Sequence, residues 1–296
     1  MRFAPKSVLR NLAIAALVLW SGQAVAGEVA VRNDRLSVEI LGTGRDVILV
    51  PGYTSSREVW RPVAERLASR HRVHLVQFAG FAGEEWTHGD SPFLEPAIAA
   101  LSDYASSLDR PAYIGHSMGG YMGLKLAQQK LPPVSRVMSV DSLPFYGALT
   151  GPQATAESLA PMAAQIKTIL LSVTPEAFAA QQQQSVQSMT LNASKHEAII
   201  ADSMASDPQA RAVAISELMT GDARADLDKV GLPFWAVYAQ DNSGPQGAMA
   251  ASLWTREYAA LPNVRMKAVE NSRHFIMYDQ PERLNALIDR FLDDEN

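Results

Sequence analysis

Residues Tyr113–Leu124 read YIGHSMGGYMGL, with one serine, Ser117, between Gly115 and Gly119. An apolar stretch, "PAYIGH", runs into it and an apolar helical pattern with Met122, Leu124 and Leu126 runs out. A serine at a sharp strand-to-helix turn pushes its oxygen clear of the backbone. That turn crowds the positions two before and two after, which Gly115 and Gly119 leave bare. The helix N-terminus behind the serine adds partial positive charge where an oxyanion would develop. Ser117 is therefore a candidate nucleophile, provided that a sheet, a base and an acid surround it.

The flanking sequence supplies the sheet. "RLSVEIL" (Arg35–Leu41) alternates like a half-buried strand, and "DVILVPG" (Asp46–Gly52) is a continuous apolar run of the kind buried on both faces. A helical pattern spans about Glu58 to Ser69, a strand Arg72 to Phe78, a helix Leu94 to Leu108, and a strand Val134 to Asp141. Strands alternating with helices predict a parallel sheet covered on both faces, with its site beyond the carboxyl ends of the strands. Gly52, Ser117 and Asp141 fall on that edge. From Leu143 to Leu227 the pattern is only helical, and the run Gln181–Gln184 reads as one solvated helix face. Alternation resumes with "PFWAVYAQD" (Pro233–Asp241), a helix near Met249–Ala260, "NVRMKAVE" (Asn263–Glu270) and a helix from Pro281 to Leu292.

Strand, Gly-His-Ser-Met-Gly and helix together resemble the nucleophile elbow of the α/β-hydrolase family. The resemblance extends to "ILVPGY" (Ile48–Tyr53), "VYAQDN" (Val237–Asn242) and "SRHFIMYDQPE" (Ser272–Glu282). It implies an α/β-hydrolase fold, a mostly parallel central sheet flanked by helices with a helical cap inserted after the sixth strand. The expected division is a signal peptide over 1–26, a core of 27–142 and 228–296, and a cap of 143–227.

Six histidines are candidates for the base. His71 and His74 lie where a strand begins, away from the site edge. His116 is fixed by the elbow, and His196 lies in the helical block. His88 sits in a loop on the active edge and is a possible substrate contact. His274 follows the last strand on the active edge and is the best placed base. The acid that orients it is Asp241, in the family's usual place after "FWAVYAQ", or alternatively Asp141, one strand earlier. By resemblance the oxyanion donors are the backbone N–H groups of Met118 and of Tyr53, where Pro51-Gly52 replaces the more common His-Gly. The Tyr53 ring either lines the pocket or packs beneath the cap. Phe145 and Tyr146, with the methionines of the cap, either line an apolar acyl pocket or form the cap's own core. Asp279 reads as a helix N-cap.

These features predict a serine hydrolase of a small or medium carboxylic ester, with a small-molecule substrate. A lactonase (acting on acyl-homoserine lactones, for example) and an aminopeptidase share the chemistry, and a non-catalytic binding protein shares the fold. Ser117 argues against dehalogenases and epoxide hydrolases of this fold, which use aspartate there. No histidine–carboxylate cluster suggests a metal, and no flavin or nicotinamide fingerprint is present, so no cofactor is expected.

Composition narrows the class further. The 296 residues are 47% hydrophobic and 19% charged, enough for a sizeable core. A net charge of −5 without a basic run argues against nucleic acid as a partner. The absence of cysteine excludes disulfides, thiolate catalysis and a lipid-modified N-terminal cysteine. Arg2, Lys6 and Arg10, the short apolar run "LAIAALVLW" (Leu12–Trp20) and Ala24-Val25-Ala26 form a secretory leader with the cut after Ala26. Its removal takes three positive charges and no negative ones, moving the net charge from −5 to −8. A periplasmic or secreted protein with no stable membrane anchor is expected.

Overall fold

The computed structural model describes Met1 and residues 29–243 and 245–293. The expected signal peptide lies outside the described residues. Eight strands form one sheet: β1 (Val29–Arg32), β2 (Leu36–Leu41), β3 (Arg45–Val50), β4 (His71–Phe78), β5 (Ala112–His116), β6 (Arg136–Val140), β7 (Phe234–Gln240) and β8 (Arg265–Glu270). Their order is β1-β2-β4-β3-β5-β6-β7-β8. The β1–β2 and β2–β4 pairs are antiparallel and all the others parallel.

The central strands are apolar on both faces because helices cover both. On one face Ile48, Val50, Tyr113 and Val137 pack with α2 (Leu94–Ser106), α3 (Met118–Ala127) and α8 (Pro245–Glu257). On the other, Val47, Leu49, Ile114, Met138 and Val237 pack with α1 (Arg61–Leu67) and α10 (Pro281–Asp293). The short α9 (Ile276–Asp279) precedes α10.

Between β6 and β7 the chain builds four helices: α4 (Ala156–Ser172), α5 (Pro175–Met189), α6 (His196–Ala205) and α7 (Pro208–Thr220). They pack as two pairs, α4 with α7 and α5 with α6. Each start has a chemical cause. Thr155 closes a capping box with Ser158, Thr174 caps α5 ahead of Pro175, and Asp207 caps α7 ahead of Pro208.

The turn from β5 into α3 needs its glycines for room rather than for dihedral freedom. A Cβ on Gly115 would lie 2.2 Å from the Gly119 carbonyl oxygen, and one on Gly119 would lie 2.6 Å from that of Val50. Both obstacles are backbone, so neither can step aside. Gly115→Ala is therefore expected to destabilise the protein by about 3 kcal/mol or more, read as a fall in the midpoint of urea unfolding. A change below about 0.5 kcal/mol would contradict this packing.

Candidate active site

Ser117 follows β5 directly, with φ 52° and ψ −120°. A non-glycine residue in this region carries strain of about 1–3 kcal/mol. Its N–H donates to the Val140 carbonyl at 2.9 Å and its carbonyl accepts from Tyr121 N–H at 3.1 Å, which hold the turn closed. Met118 is the first residue of α3, so its N–H belongs to the unsatisfied first turn of a helix. Gly52 abuts the turn: a Cβ there would lie 3.0 Å from Ser117 Cβ and 3.1 Å from His116 Nδ1. The loop carrying Tyr53 thus runs alongside Ser117.

Asp141 repeats the device one strand over. It follows β6 with φ 48°, and its N–H donates to the Val237 carbonyl at 2.7 Å. One carboxylate oxygen accepts from Ala239 N–H at 2.8 Å, and the other lies 2.7 Å from His274 Nδ1. The imidazole is about one-third exposed and the carboxylate only 10% exposed, so the acid is sealed and the ring has an open side.

The sequence preference for Asp241 as the partner of His274 is corrected by this geometry. Asp241 Oδ2 accepts from Arg273 Nε at 2.8 Å, and Oδ1 from Ser243 N–H at 2.9 Å and Ser243 Oγ at 2.6 Å. The Ser243 and Arg273 hydrogen bonds push its pKa down to about 2. Asp241 is fully occupied beside the histidine loop rather than on the histidine.

His274 is clamped through its backbone. Its carbonyl accepts from His116 Nε2 at 2.9 Å, with the two rings 4.5 Å apart. Phe275 N–H donates to the Met189 carbonyl at 2.9 Å. Arg273 N–H donates to Asp279 at 2.8 Å, and the same carboxylate accepts from Thr190 Oγ1, Leu191 N–H and Asn192 N–H. Asp279 is therefore a tie between the α5–α6 junction and the histidine loop, not the helix cap expected from its position.

The helical insertion also holds the loop after β3. Tyr53 packs edge-on against Phe81 at 5.5 Å and donates its hydroxyl to the Arg211 carbonyl at 3.0 Å. Burial pushes that phenol's pKa far up. Asp202 Oδ2 accepts from Ser56 N–H at 2.8 Å and from Ser56 Oγ at 2.7 Å. Sequence offered no signal for the Asp202 or Asp279 contacts, because both join segments more than 80 residues apart.

Two weaker substrate-contact candidates leave the site. His88 Nε2 donates to the Asp34 carbonyl at 2.9 Å and its ring lies edge-on to Trp86, out by the antiparallel strands. Phe145 is 0% exposed, packed with Ala148 and Leu159 and under the Arg224 guanidinium, so it belongs to the core of the insertion. Tyr146 is 45% exposed.

Buried histidines give the fold a pH signature. Burial lowers the pKa of His74 and pulls that of His116 well below the usual value. A group with a depressed folded pKa takes up its proton more readily when unfolded. Stability is expected to fall as pH drops through about 6.5, the unfolded histidine value. Denaturant titrations at pH 7.5 and 5.5 check this, and equal stability at both would contradict the neutral buried rings.

Comparison with known proteins agrees with this architecture. The profile of the alpha/beta hydrolase family matches residues 47–287. A pimeloyl-[acyl-carrier protein] methyl ester esterase of Chromobacterium violaceum is 31% identical over 254 residues, 83% of this chain and 94% of that protein. The corresponding esterase of Aliivibrio salmonicida is 24% identical over 86% of this chain and 95% of its own. Among solved structures, an enol-lactonase from Burkholderia xenovorans LB400 superposes with a TM-score of 0.70 at 16% identity, over 88% of this chain and 96% of that one. An esterase from Exiguobacterium antarcticum gives 0.71 at 15% identity, over 88% and 96%. The chain belongs to the α/β-hydrolase family.

Proposed function

We propose that this protein is a serine hydrolase of small or medium carboxylic esters, acting through Ser117, His274 and Asp141. The observation that carries this is the 2.7 Å bond from His274 Nδ1 to the sealed Asp141 carboxylate, on the sheet edge where Ser117 projects from its strained turn. Donating Nδ1–H to Asp141 leaves the lone pair on Nε2, the tautomer a general base requires. His274 Nε2 takes the Ser117 proton as the oxygen attacks the ester carbonyl. The backbone N–H groups of Met118 and Tyr53 then stabilise the oxyanion, and the imidazolium returns its proton to the departing alcohol. Water, activated by the same imidazole, hydrolyses the acyl-enzyme.

The names of the relatives, methyl ester esterases, support ester cleavage over amide cleavage. A lactone is an internal ester and would pass through the same steps. Hydrolysis of p-nitrophenyl esters from acetyl to long acyl chains tests the proposal. Turnover above buffer with a chain-length optimum is expected, and absence of turnover on every ester, lactone and amide offered would overturn it. The helical insertion serves as the cap over this site. The leader sequence supports export of the enzyme, with the mature chain starting at Gly27. Recovery of that N-terminus from a periplasmic or culture fraction is the expected result, and an intact Met1 form in the cytosol contradicts it.

A further inference from the structure

The helical insertion buries a cation that forms no ion pair among the described residues. Arg211 is the fourth residue of α7 (Asp207 is the cap) and is only 5% exposed. Its guanidinium carbon stands 3.7 Å above the ring centroid of Phe178, which comes from α5 in the other helix pair. Guanidinium Nε and Nη1 are sealed from solvent and donate to no oxygen among the described residues. Burial lowers the pKa of this side chain. Asp207 is already committed, capping Gln209 and Ala210 N–H.

The position matters as much as the missing partner. The Arg211 carbonyl holds the Tyr53 hydroxyl, and the Tyr53 loop runs against Ser117. Arg211 therefore carries its guanidinium against Phe178 of the other helix pair while its own carbonyl anchors the loop expected to bind the oxyanion. Buried charges are normally paired, and a buried donor without an acceptor costs about 1–3 kcal/mol. Contact with the Phe178 ring holds the guanidinium in place, and its fork of donors matches a planar carboxylate.

We propose that Arg211 is a specificity-determining residue that receives a free carboxylate on the substrate, so that the preferred ester is anionic. This rests on the hydrolase reading above and narrows its substrate class. The scissile bond and the free carboxylate lie at opposite ends of the molecule.

The test compares wild type with Arg211→Met, which keeps the stack on Phe178, and with Arg211→Lys, which keeps the charge without the fork. Monomethyl esters of the dicarboxylic acids from succinate to suberate are set against neutral methyl esters of equal length. O-acetylated ω-hydroxy acids place the carboxylate on the leaving side. Wild type is expected to favour the anionic ester at one chain length by at least about tenfold in kcat/KM, mainly through KM. In Arg211→Met that ratio collapses toward one, with Arg211→Lys between. Independently of turnover, the matching dicarboxylate should raise the melting temperature of wild type more than chloride at equal ionic strength, and not that of Arg211→Met. Neutral esters cleaved with no anionic preference, and no dicarboxylate protection of wild type, overturn this proposal while leaving the hydrolase intact. No turnover of any ester, with dicarboxylate protection retained, overturns the hydrolase and leaves Arg211 as an anion site. Should Arg211→Met fail to fold, the wild-type preference and protection still decide.

Discussion

Ser117→Ala is expected to lower kcat on a p-nitrophenyl ester by about 10⁴-fold or more, with a folded protein and an unchanged melting profile. The size follows from what the hydroxyl does. Without it no acyl-enzyme forms, and His274 can at best direct a water from a position set for serine. What survives is the rate supplied by binding and the oxyanion donors, about 10³–10⁴ over water. Melting should not fall, because the Ser117 hydroxyl donates no hydrogen bond among the described residues that holds the fold, and alanine fills the same strained turn. A variant within tenfold of the parent would remove Ser117 from the chemistry.

The second large effect separates two aspartates, of which sequence alone prefers Asp241. Asp141→Asn should lower kcat by about 10³–10⁴-fold, since an amide in that place no longer fixes the His274 tautomer or stabilises the imidazolium. Asp241→Asn should lower it by less than about tenfold, because Asp241 bonds Arg273 and Ser243 beside the histidine loop and not the imidazole itself. The two variants are compared at saturating substrate and matched stability. The reverse order of effects would return the acid to Asp241.

These aspartates also show where sequence reasoning stopped. Asp141 and Asp241 each stand one residue beyond neighbouring parallel strands, so apolar pattern and edge placement are the same for both. The choice is made by Arg273, next to the histidine, which captures Asp241, and by the positive φ of Asp141. Neither is a property of local pattern. The central strands were legible because burial on both faces demands continuous apolar runs such as Val47–Val50 and Phe234–Val237. The strand β1 was not, since Val29–Arg32 is an exposed edge whose side chains bury little. The start of α3 carries no mark in the sequence, because the helix grows straight from the strained Ser117 with no capping side chain. The helical character of the insertion was legible. The pairing of α4 with α7 and of α5 with α6 was not, nor was the burial of Phe145 and Arg211, which depends on that pairing.

The central claim is that Ser117 is the nucleophile, activated by His274. The most direct measurement is covalent capture by a p-nitrophenyl alkylphosphonate, followed by mass analysis of the digested protein. The account predicts one phosphonyl adduct on the peptide containing Ser117, absent in Ser117→Ala and formed far more slowly in Asp141→Asn than in Asp241→Asn. No adduct, or an adduct on another residue, would contradict it.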